Sequence, residues 1–191
     1  DFVASGTLPS GQTVVVNADG TVSAIGSGTP VTKSIPAAAV QVFNNSDTQI
    51  TSIAFDPSSP NEFVIAFTSA SVLKAIAGSL SGTTATFGTA VTINAATSTI
   101  GFASVQYNPN VAKQFVIAFV DGTDSNKGKV ALGTVASSEI TMQSAVTYDA
   151  NNNAAQGPCV AFDPNTSGKF AIVYKGSTGN GNVLVCSISG T

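Results

Sequence analysis

The sequence predicts an all-β fold of β-propeller-like blades, each of four antiparallel strands, with a repeat of about 50 residues. Three observations carry the prediction. The phrase "EFVIAF" (62–67) returns as "QFVIAF" (114–119) and, loosened, as "KFAIVY" (169–174). The turn dipeptides Asp56-Pro57, Asn108-Pro109 and Asp163-Pro164 precede these phrases at intervals of 52 and 55 residues. No stretch combines helical apolar periodicity with caps. A β-sandwich is the alternative, but sandwich strands keep one polar face and do not repeat phrases.

The elements follow in chain order. "QTVVVNADGTVSAI" (12–25) reads as strand, turn and strand, with Asn, Asp and Gly supplying the turn. Residues 1–33 are thus an N-terminal hairpin segment. "SIPAAAVQVFN" (34–44) matches the later run "TFGTAVTIN" (86–94), a fourth strand, so the repeat region is set at 34–191. Its repeats cover about 45–98, 99–153 and 154–191. First strands are "SIAF" (52–55), "SVQY" (104–107) and "CVAF" (159–162), each ending at an Asx-Pro turn. There Pro fixes φ and the Asx side chain bonds the backbone two residues on.

The recurrent phrase is the second strand. "VLKAIAGSL" (72–80), "KVALGTV" (129–135) and "NVLVCSI" (182–188) are third strands. "ATFGTAVTI" (85–93) and "EITMQSAVTY" (139–148) are fourth strands. The third repeat stops at "SISGT" (187–191), short of a fourth strand. The expectation is a fragment of a longer propeller, or copies combining in a larger assembly; residues 34–44 are a candidate to pair with the open edge.

Phe115, Ile117 and Phe119 point to one side of their strand, and Val116 and Ala118 to the other. A strand apolar on both faces must be covered on both faces. The phrase therefore marks a dry interior strand, and recognition is expected in the loops 68–71, 121–128 and 175–181.

Composition excludes much chemistry. The net charge is −3, with no Arg and seven scattered Lys, which removes the clustered cations that nucleic acid needs. There is no His, so Ser-His-Asp and Cys-His catalysis and the common zinc sets are gone. Without Arg there is no bidentate anion clamp, and without Trp the preferred sugar-stacking ring is missing. No run nears the roughly 20 apolar residues of a membrane-spanning helix. The expectation is a protein without cofactor or metal, without membrane insertion and without enzymatic activity.

Cys159 and Cys186 fall on the first and third strands of one sheet, two spacings of about 4.8 Å apart and beyond disulfide reach. Cys186 stands where the other repeats have Gly78 and Gly133, a position demanding smallness. Buried free thiols are expected.

Of the remaining polar residues, "DGTDSNKGK" (121–129) is the densest cluster. Asp121, Asp124, Asn126 and Lys127 form its candidate ligand-contact loop. Oxygen ligands alternating with small residues admit calcium in principle, but the spacing is not that of an EF-hand, and the expected state is a solvated hairpin loop. Lys74 and Lys129 share a register on successive third strands, with Asn182 in the third repeat, and read as edge charges against aggregation. Tyr107 and Tyr174 replace Phe of other repeats and are expected in the core with bonded hydroxyls. "NNN" (151–153) reads as loop chemistry between repeats.

The phrases "FDPSSPNEFVIAF", "YNPNVAKQFVIAF" with "DGTDSNKGK", and "FDPNTSGKFAIVY" resemble repeats in virion appendage proteins of marine phages, notably cyanophages. Such proteins often carry a segment similar to "SGTLPSGQTVVVNADGTVSAI" (5–25), so the resemblance spans residues 5–191. It implies a non-enzymatic tail fibre, tail knob or similar exterior structural protein, located on the virion exterior. Other virion proteins or copies of the chain are the implied partners, with host surface glycans as candidate ligands. No catalytic residue carries over, and the lack of Arg, His and Trp departs from carbohydrate-active propellers. A secreted or cell-surface lectin-like β-propeller, binding glycans through its loops, is the alternative.

Overall fold

The structure is a computed structural model of the 191-residue chain and describes residues 3–4, 6–7, 10–11, 13–24, 40–94, 102–151 and 156–189. The regular structure among these residues is entirely β, in several sheets, none closed. Two compact units divide the chain, Asp1–Ala38 and Ala39–Thr191.

The first unit holds β1 (Val3–Ala4), β2 (Val14–Val16) and β3 (Thr21–Ala24) in the order β1-β3-β2. The expected hairpin is β2–β3, antiparallel, and β1 adds a short parallel pairing. Its turn forms because Asp19 Oδ1 accepts from Thr21 N and Oγ1 at 2.9 and 2.7 Å. Gly20 supplies the left-handed residue at φ +80°.

The second unit holds three antiparallel sheets. The first sheet contains β4 (Thr48–Phe55), β5 (Glu62–Ser69), β6 (Val72–Ser81), β7 (Thr84–Phe87) and β8 (Val91–Asn94). The second contains β9 (Ala103–Tyr107), β10 (Gln114–Asp121), β11 (Lys127–Ala136), β12 (Glu139–Met142) and β13 (Val146–Asp149). The third contains β14 (Gln156–Phe162), β15 (Lys169–Lys175) and β16 (Gly181–Ser187). Each is a meander in chain order.

The expected fourth strand is in fact interrupted: β7 and β8 both pair with β6, and β12 and β13 both pair with β11. At the break Gly88 N donates to Ala77 O and Gln143 N to Leu132 O, so the detour is the same in both repeats. No strand pairs with the outer edge of β16 among the described residues. Of the segment 34–44, residues 34–39 lie outside the described residues and 40–44 form no strand. Instead Gln41 bonds Ala85 N and Thr83 O, and Phe43 packs on Phe67 and Phe87.

The turns between first and second strands repeat almost atom for atom. The side chains of Asp56, Asn108 and Asp163 accept from the backbone N–H of Ser58, Asn110 and Asn165 at 2.8, 3.0 and 2.9 Å. Asn61, Lys113 and Gly168 close these turns at positive φ, and their carbonyls accept from Leu80, Val135 and Ile188 N–H. That geometry ties each turn to the third strand of its own sheet.

Alternation of size, rather than of polarity, explains the recurrent phrase. On the front of the second sheet, Phe115, Ile117 and Phe119 pack against the back of the first, which offers Ala54, Val64, Ala66, Ala75 and Ala77. The back of the second sheet, Val116 and Ala118 with Val130 and Leu132, receives Phe170, Ile172 and Tyr174 from the front of the third. Large side chains on one sheet face small ones on the next. Every residue of β10 is buried. Contact between sheets is richest at the first strands, β4 with β9 and β9 with β14, and thins toward the outer strands.

Two hydrogen bonds mark this junction. Ser52 Oγ accepts from Val105 N at 3.1 Å, and Ser104 Oγ accepts from Val160 N at 3.2 Å. The donor N–H groups lie on the outer edge of β9 and β14, where no strand of their own sheet pairs with them among the described residues.

Candidate functional site

The hairpin between β10 and β11 brings together the residues singled out in the sequence. Asp121 is buried at the end of β10, and its Oδ1 accepts from Thr123 N and Oγ1 at 3.0 and 2.6 Å. Lys129 Nζ lies 2.6 Å from Asp121 Oδ2 and 3.1 Å from Asp124 Oδ2, while Lys127 Nζ lies 2.8 Å from Asp124 Oδ1. Asn126 carries the turn at φ +57°, a conformation that Asn tolerates better than most residues.

Two carboxylates and two ammonium groups thus neutralise one another. Burial opposes ionisation of Asp121, but hydrogen bonds from Lys129, Thr123 and Asn94 outweigh it and hold the carboxyl at about 2. Lys127, then Lys129, lowers Asp124. Asn94 belongs to β8 of the first sheet, so Asp121 also ties the two sheets at this end.

The expected hairpin keeps an exposed tip at Thr123 and Ser125, while Asp121 at its base is buried and the charged side chains pair with one another. The edge-charge reading of Lys129 is corrected by that pairing. Its predicted register is right, since Lys74, Lys129 and Asn182 sit opposite Phe67, Phe119 and Tyr174. Of the loop 68–71, Thr68 and Ser69 are buried strand residues, leaving a two-residue turn at Ala70 and Ser71. Asn151 bonds Asp149 Oδ1 through N and Nδ2; Asn152 and Asn153 lie outside the described residues.

A second polar cluster escaped sequence reasoning. Lys113, in the turn before β10, ion-pairs with Glu62 at the start of β5 and lies 3.9 Å from Asp56 Oδ2. Tyr107, one of the largest fully buried side chains, lines a hollow of about 20 Å³ beside Glu62 and Lys113. That is room for one water. Tyr107 Oη has no hydrogen-bond partner among the described residues, which corrects the expected bonded hydroxyl. Burial, then the charge of Asp56, pushes its pKa well above the usual phenol value. The signal was present in the repeat alignment: Glu62 aligns with Gln114, so Lys113 lies one position from its equivalent in the next repeat. Tyr174 packs edge-on against Tyr148 at 5.1 Å and reaches Asn182 and Asp149.

Both cysteines are free, but they differ in setting. Cys186 lies opposite Phe170 on the front of the third sheet, as Gly78 and Gly133 lie opposite Phe63 and Phe115. Cys159 lies opposite Val173 on the back and is exposed, which corrects the expectation that both thiols are buried.

A broad hollow of about 760 Å³ runs along the third sheet, lined by Phe102, Gly157, Val173, Lys175, Asn182 and Val183 among others. Its lining is mainly apolar and includes the polar side chains of Gln156, Lys175 and Asn182. Among the described residues no group of three or more His, Cys, Asp or Glu side chains comes together in a form suited to a metal ion. In comparisons with known proteins, no family model, no curated protein and no solved structure matches this chain.

Proposed function

We propose that this chain is a non-enzymatic structural and adhesion protein of a phage virion exterior, built from propeller-like blades. The observation that carries the architectural part is the front-to-back stacking of successive sheets through equivalent positions. Contact between sheets concentrated at the first strands supports blades around an axis over two layers lying flat in a sandwich. The charged groups of the 121–129 hairpin are spent on one another, which suits a rigid rim better than acid–base chemistry. Assignment to a virion rests on the resemblance of the repeats to marine phage appendage proteins.

Density-gradient purification of virions, followed by peptide mass spectrometry, tests the assignment. The chain is expected at constant stoichiometry with the particle; recovery only from the soluble lysate would sink it. A second reading, a secreted or cell-surface lectin-like propeller, draws on the hollow beside Phe102 and Asn182. It predicts saturable binding on a glycan array and no association with particles.

A further inference from the structure

We propose that the bare back of the third sheet docks the front of the first sheet of a second copy of this chain, head to tail. This goes beyond the proposed function and rests on the stacking of the sheets, so it stands or falls independently of any host particle.

Strand register identifies the surface. Ala171, Val173, Val183 and Val185 hold the positions that Val116, Ala118, Val130 and Leu132 hold in the second sheet. They correspond equally to Val64, Ala66, Ala75 and Ala77 in the first. In the first two sheets these positions lie against the front of the following sheet. In the third they are open: Val173, Val183 and Val185 are 48%, 68% and 63% exposed. Cys159 stands where Ser52 and Ser104 receive the N–H of the following sheet. The third sheet thus presents the back half of an established interface, with no strand of the described residues against it.

The complementary half is on the same molecule. At the front of the first sheet, Ile53 and Phe55 are 55% and 50% exposed, whereas Val105 and Tyr107, their equivalents in the second sheet, are 3% and 1% exposed. Phe43 packs on Phe67 of β5 and Phe87 of β7, and Phe63, Ile65, Phe67 and Ile76 on this front are already buried, so the exposed part is Ile53 and Phe55 of β4. A hollow of about 210 Å³ remains, lined by Phe43, Thr51, Ser52, Ile53 and Ile65. Contact between sheets in this fold is concentrated on first strands, so β4 is the part a partner needs. Front and back differ, so the contact is heterologous, and repetition builds a ring or an open stack.

Site-specific cross-linking tests it on the whole chain. In the docked arrangement Cys159 of one copy meets Ile53 of the next, as Ser52 meets Val105. With Ile53→Cys in a Cys186→Ser background, mild oxidation is expected to give a ladder at multiples of 19.0 kDa on non-reducing gels. Adding Cys159→Ser should abolish the ladder. The unsubstituted chain should sediment with a concentration-dependent mass at least twice that of one chain, and Val183→Glu should return it to a single chain. A monomer at every concentration, with no ladder, would overturn the proposal. So would a monomer whose Cys159 resists maleimide, which would mean that the chain covers the face itself.

Discussion

Replacing Gly78 by Ala measures how tightly the recurrent phrase is packed against its own third strand. A Cβ at Gly78 would lie 2.5 Å from Phe63 Cζ, 2.7 Å from its Cε2 and 2.8 Å from the Thr86 carbonyl oxygen. The ring is buried against Phe87, and the oxygen belongs to the backbone of β7, so neither yields cheaply. Overpacking of this kind costs about 1–3 kcal/mol. Ala in place of Gly within a strand returns about 0.5–1 kcal/mol of backbone entropy. The net expectation is a loss of about 1–2 kcal/mol, or roughly 2–4 °C in Tm for each kcal/mol in a chain of this size. Urea denaturation followed by fluorescence or circular dichroism reads it as a lower midpoint at constant slope. Phe63→Leu in the same chain should recover part of the loss. An unchanged or raised midpoint for Gly78→Ala would refute the packing argument. Cys186 tolerates the equivalent place because no strand flanks β16 on its outer side among the described residues.

Further outcomes follow from the same contacts. Asp121 is held at about 2 against an ordinary 3.8, so its stabilising contribution is complete above the ordinary value and is lost as pH falls through about 2. Lys129→Met should flatten that acid limb of stability, as read by denaturation at a series of pH values. Ser104→Ala removes the partner of Val160 N and should cost about 1–3 kcal/mol, with Cm shifted and the fold retained. Ala70 and Ser71 hold φ +50° and +62° in the β5–β6 turn, where Asn-Gly is preferred; Ala70→Asn with Ser71→Gly should raise stability by about 1 kcal/mol.

How much of this was legible depended on what repeats. The Asx-Pro turns, the strand order and the opposite faces of Phe115 and Val116 follow from short-range rules: turn chemistry and the two-residue period of a strand. The equivalence of Cys186 with Gly78 and Gly133 followed from alignment alone, and the register confirms it. The break between β7 and β8 was not legible, because "FGTAV" carries no signal separating a detour from a continuous strand. The burial of Asp121 was not legible, because burial is a tertiary property. Nothing in "DGTDSNKGK" says that Asn94, from the preceding repeat, will close over it. Cys159 was misjudged for the same reason: a strand's two faces look alike in sequence until a neighbouring sheet covers one of them.

Successive sheets stack front to back, and the Ser52–Val105 and Ser104–Val160 bonds join them. Those amides sit on the outer edges of β9 and β14, where an isolated sheet would leave them open to water. Residue-resolved amide hydrogen exchange measures this directly. Val105 and Val160 are expected to exchange slowly, with Ser52→Ala accelerating Val105 alone and Ser104→Ala accelerating Val160 alone. Fast exchange of both amides in the unsubstituted chain, or indifference of each to its own serine, would contradict the stacking.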